Sequence, residues 1–415
     1  MKAEVTAGAL IPVEQALEHL LSTLVDKVSA QTVTLQHADG RVLLDDVYAA
    51  CDVPPCDNSA MDGYALNSRL QQTDQPFSVS ARIPAGSAPG ALIPGTVARI
   101  FTGAPVPQGA DAVIMQENCE ASTVGVLIRQ AVVAGENIRK QGADVLAGSL
   151  LFSAGHRLRP ADLGVLAATG VASVRVGKQP VVALFSTGNE LVEPGQALAP
   201  GQIYNSNVFV VRALLQRLGL QVIDLGIVGD TRAATEQMLL KAAELADCII
   251  STGGVSAGEE DHVRAALQHL GELELWRLAL KPGKPFAFGR LHNSVFFGLP
   301  GNPVSAFVTL LILVRPALLA MMGARECTLQ EIPLPAGFDA PASGARQEYL
   351  RVRLMRPQLD SGIQADALPM LVPLSDQSSG VLSSVVYADG LAIVPPFTAI
   401  SSGQLLRFLP FGDIV

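Results

Sequence analysis

The chain has no C-x-x-C pair, and its five cysteines, Cys51, Cys56, Cys119, Cys248 and Cys327, are odd in number. That excludes a cysteine zinc cage and a closed disulfide framework, and it suits a reducing compartment. The histidines are isolated and show no ligand spacing. The Walker A loop and the dinucleotide fingerprint are both missing. No apolar run reaches the roughly 20 residues of a membrane span. The most apolar stretch, AFVTLLILV at 306–314, meets Arg315 and Pro316 and reads as a buried helix that ends there. The N-terminus lacks the apolar segment of a signal peptide, so the expectation is a cytoplasmic protein with no membrane partner. Positive charge is short as well. Lys and Arg total 29 against 38 Asp and Glu, a net charge of −9. A nucleic-acid surface is normally basic, so nucleic acid is not an expected partner.

What is present is a large apolar fraction. Of 415 residues 49% are hydrophobic and only 16% charged, enough for several cores and two to four domains. Residues 12–27 carry a helical pattern of Val13, Leu17, Leu20, Leu21 and Leu24. Between 41 and 115 Pro and Gly punctuate short β-like pieces, and 127–160 continue in that style, which reads as an all-β unit. From about 177 strand and helix patterns alternate four times: PVVALFSTG, then a helix that Asn205 or Ser206 would cap and Gly219 would stop, then QVIDLGIVGD, DCIISTGG and SVFFGLPG, each followed by a helix. These strands are solid apolar runs, as a parallel sheet covered on both faces requires. Residues 327–345 read as a Pro-, Ala- and Gly-rich linker, and EYLRVRLM and 381–409 as a small C-terminal β domain.

The fold class expected is therefore α/β plus all-β domains: a central doubly wound, mostly parallel sheet, an N-terminal mostly-β region and a small C-terminal β domain. The division expected is 1–50 with 141–176 as an N-terminal helix and composite linker domain, 51–140 as a β domain, 177–326 as the α/β domain and 327–415 as the C-terminal domain.

In an open α/β sheet, ligands bind beyond the carboxyl ends of the strands. Four segments fall there: STGNE (186–190), Gly229-Asp230, STGGVSAGEED (251–261) and GLPGNPVS (298–305). Their glycines allow close backbone approach, and each helix start offers free N–H groups to an oxyanion. Yet Glu190, Asp230, Glu259 and Asp261 lie on the same rim. Carboxylates beside phosphate repel unless a cation lies between, and Mg²⁺ is such a cation. Each acid also has a plain structural reading: Asp230 or Asp261 as a helix cap, Glu190 as a solvated loop residue. LALKPGKPFAFG adds Lys281 and Lys284 around a Pro-Gly turn, suited to a small oxyanion or simply a solvated basic turn. In DNSAMDGYAL, Asp62-Gly63 reads on physics alone as a turn.

DNSAMDGYA, RIFTGAPVPQGADAVIMQE, FSTGNEL, ISTGGVSAGEED, KPGKPFAFG and GLPGNPVSA occur in this order over about residues 10–310. Together they resemble the MoeA family, the molybdopterin molybdenumtransferases of molybdenum-cofactor synthesis, related to the C-terminal domain of gephyrin. The resemblance implies an enzyme that takes adenylylated molybdopterin and molybdate, inserts molybdenum at the dithiolene, cleaves the phosphoanhydride with Mg²⁺ and releases AMP. It implies an α/β domain like that of the MogA-type adenylyltransferase, and an elongated homodimer whose cleft receives the NSAMDGYA motif from the other subunit. Carried over by motif, Asp62, Asp144, Glu190, Asp230, Asp261 and Lys281 are the catalytic set, with Asp230 and Asp261 on the metal side. Lys284, Ser305, Arg351 and Ser378 become molybdate neighbours alongside Lys281, and Thr102, Pro300 and Pro303 shape the site. Ser251, Gly253, Gly254, Ser256, Gly258, Arg277 and Asn302 complete the substrate-binding set. The implied partners are a second copy, the MogA-type adenylyltransferase and cofactor chaperones. Some positions depart from the family pattern: Asn189 and Asn205 stand where Asp is common, Arg277 for Lys, Ala143 for Glu and His262 for Tyr. The alternatives are the preceding adenylyltransferase step and a gephyrin-like scaffold.

Overall fold

The computed structural model describes residues 10–24, 28–70, 75–255, 262–355 and 368–412. Its centre is a six-stranded sheet. In chain order its elements are β1 (Val181–Thr187), α1 (Asn207–Arg217), β2 (Gln221–Val228), α2 (Arg232–Leu245), β3 (Cys248–Thr252), α3 (His262–Leu270), β4 (Glu272–Arg277), β5 (Pro285–Leu291), β6 (Ser294–Leu299) and the helical stretch α4 (Pro303–Met321). The strand order is β2-β1-β3-β6-β5-β4. The first four strands are parallel, whereas β5 and β4 add on antiparallel. The solid apolar runs mark the four parallel strands, while ELELWR alternates as suits its place at the sheet edge, outside the four strand-helix repeats expected from the sequence.

Alternation along β1 explains why both faces are covered. Val182 and Leu184 enter one core with Val211 and Leu215 of α1 and Phe297 of β6. Ala183 and Phe185 enter the other, with Leu239 of α2 and Val263 and Leu267 of α3. The N-terminal helix Val13–Leu24 buries Val13, Ala16, Leu20 and Leu24 in the first core, a spacing of three and four that lies on one helix face. The expected stop at Arg315-Pro316 does not occur, and α4 runs on to Met321. Residues Leu310–Val314 form a π turn just ahead of Pro316, and this wider turn accommodates a proline that would clash in a regular helix interior. The stretch is long and apolar enough to cross a membrane by composition, but 83% of it is buried inside the protein.

Before the central sheet lies a four-stranded sheet in the order Val79–Ile83, Val97–Ile100, Gly63–Leu66, Ala112–Met115. Gly63 is no turn residue. It starts a strand, and a Cβ there would sit 1.8 Å from the Ile114 carbonyl oxygen, so only glycine lets the two strands close. After the central sheet comes another six-stranded sheet. The segment expected as a linker supplies one of its strands, Ile332–Pro335, which pairs with Leu405–Pro410 at the sheet edge, where prolines are tolerated. This sheet reaches back to the centre. Leu280 and Lys281 pair in parallel with Gln347 and Glu348.

Candidate functional site

The chain order places the topological switch between β1 and β3, since α1 leads to β2 on one side of β1 and α2 returns to β3 on the other. Beyond the carboxyl ends of these strands lies a cleft of about 1100 Å³. Four loops converge on it: 187–190, Asp230, 252–255 and 300–305. The turn Lys281–Pro285 and Arg346 form a further wall, and residues 377–380 of the C-terminal sheet region close it.

The strand ends are held close by glycine. Gly253 and Gly254 have φ of +90° and +69°, and a Cβ on Gly253 would lie 2.8 Å from the Thr187 carbonyl oxygen. Below them, the Ser186 and Thr252 hydroxyls meet at 2.7 Å, and Ser186 Oγ donates to Asn205 Oδ1 at 3.2 Å. Asp230 does not cap α2. Thr231 does, its hydroxyl accepting from the Ala234 N–H. Asp230 is turned instead to the neighbouring loop: its Oδ2 accepts from the Asn189 N–H at 2.9 Å, and its own N–H donates to Asn189 Oδ1 at 3.1 Å. The second bond shows what asparagine does at 189: it offers an acceptor to the Asp230 backbone without setting a second carboxylate beside the first.

Across the cleft, Lys281 Nζ is 2.9 Å from Glu348 Oε1. The Lys281-Pro282 bond is cis. Thus Lys281, Lys284 and Arg346 face a rim that holds Glu190 and Asp230. The two regions are tied directly, the Val304 N–H of α4 donating to the Ser379 carbonyl at 3.0 Å.

Of the residues singled out in the sequence, Glu190, Asp230, Gly253, Gly254, Lys281, Lys284, Pro300, Asn302, Pro303, Ser305 and Ser378 line this cleft. Ser256, Gly258 and Asp261 lie outside the described residues. Ser251 is fully buried in β3, its neighbour Thr252 being the one that reaches the cleft, because successive strand side chains alternate faces. Arg277 is at the end of β4, off the cleft lining. Arg351 is only 1% exposed and stands behind the wall: its guanidinium donates to Ser384 Oγ (3.1 Å) and to the Ser378 carbonyl (3.1 Å), which fixes the 377–380 segment rather than entering the cleft. Arg346, Gln377, Tyr204 and Asn205 line the cleft without having been picked out as binding residues. Nothing in motif spacing marks Arg346, which sits in an Ala-, Gly- and Ser-rich stretch.

Asp62, Thr102 and Asp144 are absent from the cleft lining. Asp62 is nonetheless an ordered acid. It accepts from the Thr102 N–H and hydroxyl, both at 2.8 Å, and these bonds, with Arg99 nearby, hold its carboxyl below the usual range. Arg99 stacks over Tyr64 and Phe101, so the acid sits on a rigid polar and aromatic face.

Among the described residues no three His, Cys, Asp or Glu side chains form a metal cage. The rim carboxylates of Glu190 and Asp230 would suit a cation of a different kind, since Mg²⁺ takes one or two carboxylates and completes its shell with phosphate and water.

Comparisons with known proteins cover nearly the whole chain. Residues 11–170 match the MoeA N-terminal region (domain I and II), 183–320 the probable molybdopterin binding domain, and 333–411 the MoeA C-terminal region (domain IV). A Haemophilus influenzae protein named molybdopterin molybdenumtransferase is 41% identical over 319 residues, 76% of this chain and 79% of the relative. One from Nostoc is 36% identical over 402 residues, 93% of this chain and 91% of the relative. A crystal structure of a molybdopterin biosynthesis MoeA protein from Pyrococcus horikoshii superposes with a TM-score of 0.74 at 30% identity, covering 97% of this chain and 99% of that one.

Proposed function

From the premise that this chain belongs to the MoeA family, and is a transferase of molybdenum-cofactor biosynthesis that inserts molybdenum into molybdopterin, we propose how its cleft divides the work. The substrate is adenylylated molybdopterin, and molybdate is the second substrate. Lys281 and Lys284, with Arg346 between the sheets, take the molybdate dianion; Ser305 and Ser378 offer hydroxyl donors beside them. Asp230 and Asp261 hold Mg²⁺ against the phosphoanhydride, with Glu190 nearby. An ion held by these acids would supply positive charge against the phosphoanhydride oxygens. The glycines at 253 and 254 let the backbone approach the phosphates. The carrying observation is the cleft itself, where a three-cation wall faces a carboxylate rim at the switch point of a parallel sheet.

Asp62, Thr102 and Asp144 enter this reading through a second copy of the chain. Within one copy they are off the cleft, while the Asp62–Thr102 clamp presents a fixed carboxylate. A homodimer with a shared site, the four-part domain division given above, receipt of substrate from a MogA-type adenylyltransferase and a cytoplasmic location belong to the same proposal. Purified protein given adenylylated molybdopterin, Mg²⁺ and molybdate is expected to release AMP and yield cofactor that activates an apo-molybdoenzyme. Absence of AMP at every molybdate concentration overturns the reading.

A further inference from the structure

One stretch of the cleft is built unlike the rest. Ile203 and Tyr204, both lining it, are 55% and 42% exposed, an aliphatic and an aromatic side chain standing open on the wall. The stretch is fixed rather than loose. Ile203–Tyr204 pairs in parallel with Leu191–Val192, and the Tyr204 hydroxyl donates to the Gln196 carbonyl at 2.9 Å, which pins the ring. The next residue, Asn205, also lines the cleft but is 2% exposed. Its N–H donates to the Val192 carbonyl and its Oδ1 accepts from Ser186 Oγ. Its Nδ2 has no partner among the described residues. A buried donor left unmade is destabilising, so it marks an acceptor that something else must supply.

We propose that this wall receives a planar heterocycle of the substrate, stacked on Tyr204 and read along its edge by the Asn205 carboxamide. The inference rests on the function proposed above and adds residues to it. A carboxamide presents a donor and an acceptor side by side, and Oδ1 keeps a second lone pair beyond the one used by Ser186. Asparagine pairs in this way with the N6/N7 edge of adenine. A pterin carries an equivalent edge in N3–H and its C4 carbonyl. Both rings occur in adenylylated molybdopterin, so variants must separate them.

The test measures binding of AMP by calorimetry and of a soluble pterin by quenching of its fluorescence, each to wild type, Tyr204→Ala, Asn205→Ala and Asn205→Asp. Stacking of a base on an aromatic side chain predicts a loss of about 10-fold in affinity for Tyr204→Ala, towards whichever ring occupies the wall. Asn205→Asp keeps an acceptor for Ser186, replaces the donor by a second acceptor and adds a negative charge, so its effect on AMP is read against the uncharged Asn205→Ala. If adenine is the occupant, both Asn205 variants weaken AMP about 10-fold and leave the pterin unchanged. If the pterin is the occupant, Asn205→Ala weakens it while Asn205→Asp retains it, since a carboxylate pairs with the 2-amino and N3–H donors. Either pattern supports the proposal. It is overturned if the Tyr204 and Asn205 variants bind both ligands within twofold of wild type, or if wild type releases AMP in turnover yet binds neither ring. Absence of AMP release, by contrast, strikes the proposed function and leaves the binding data to be judged by themselves.

Discussion

Replacing Arg351 by methionine separates two roles for a residue that motif resemblance puts next to molybdate and the structure puts behind the wall. The guanidinium is 1% exposed and makes two well-formed bonds, to Ser384 Oγ and the Ser378 carbonyl, plus a longer one to the Asp376 carbonyl at 3.5 Å. Burial lowers its pKa, with Asp376 opposing. A hydrogen bond to a charged group contributes about 1.5–3 kcal/mol, so the two good bonds together account for roughly 3–6 kcal/mol. Methionine refills the apolar volume, and the freed carbonyls of the 376–378 segment reach water at the cleft rim. A net loss of about 3 kcal/mol is expected, with a higher KM for molybdate because the segment carrying Ser378 loosens. Calorimetric unfolding is the suitable assay. If Arg351→Met unfolds within about 1 kcal/mol of wild type while molybdate affinity collapses, the guanidinium meets the oxyanion itself and the supporting role is wrong.

Asp230→Ala removes the acceptor for the Asn189 N–H and one rim acid; AMP release should fall at least about 100-fold while urea stability changes by no more than about 1 kcal/mol, and an equal loss of stability would return Asp230 to a structural role. The Asp57 carboxyl, held below its usual pKa first by its hydrogen bond to Lys140 and then by the Gln141 N–H, gives a pH prediction. Its stabilisation is fully present above the ordinary carboxylate range, near pH 4, and fades as pH falls through the depressed value. Lys140→Met should therefore lower the melting temperature slightly at pH 7, by the equivalent of at most about 1 kcal/mol for an exposed pair, and not at all at the acid end of a pH series. A difference that grows on acidification would contradict the assigned sign.

The parallel core was legible because a strand covered on both faces must be apolar throughout, as VVALFST and CIIST are, and because glycine marks where such strands end. The rim acids stood out as a set, because several follow parallel strands at one sheet end although each could cap a helix or sit in solvent, and the lysines stood out by flanking a Pro-Gly turn in apolar surroundings. The β4–β5 hairpin escaped a reading that looked for solid apolar runs, although ELELWR carries the two-residue alternation of a half-exposed edge strand. So did the strand Ile332–Pro335, whose two prolines imitate a linker until an edge position makes them acceptable. Arg346 and Gln377 escaped because their role arises from three-dimensional approach between segments far apart in sequence, which spacing does not encode. Asp62 is the opposite case: motif resemblance assigns it a role, while the chain by itself holds it away from the cleft.

The two walls of the cleft have different owners. The carboxylate rim is carried by loops of the central sheet alone: Glu190 follows β1, and Asp230 follows β2 and is clasped to Asn189. The basic wall is not self-sufficient. Lys281 stands on a two-residue strand whose ladder partner is the C-terminal strand Gln347–Met355, its ammonium meets Glu348 of that strand, and the Gln347 N–H donates to the Ala279 carbonyl just before the turn. Arg346 immediately precedes this strand, and Ser379 accepts from the first turn of α4. The central domain therefore carries the acids by itself, whereas Lys281 and Arg346 take their places through the C-terminal strand. In the proposed reaction the site gains its charge balance from that docking, which gives a mechanical reason for the C-terminal sheet to accompany the α/β domain in one chain.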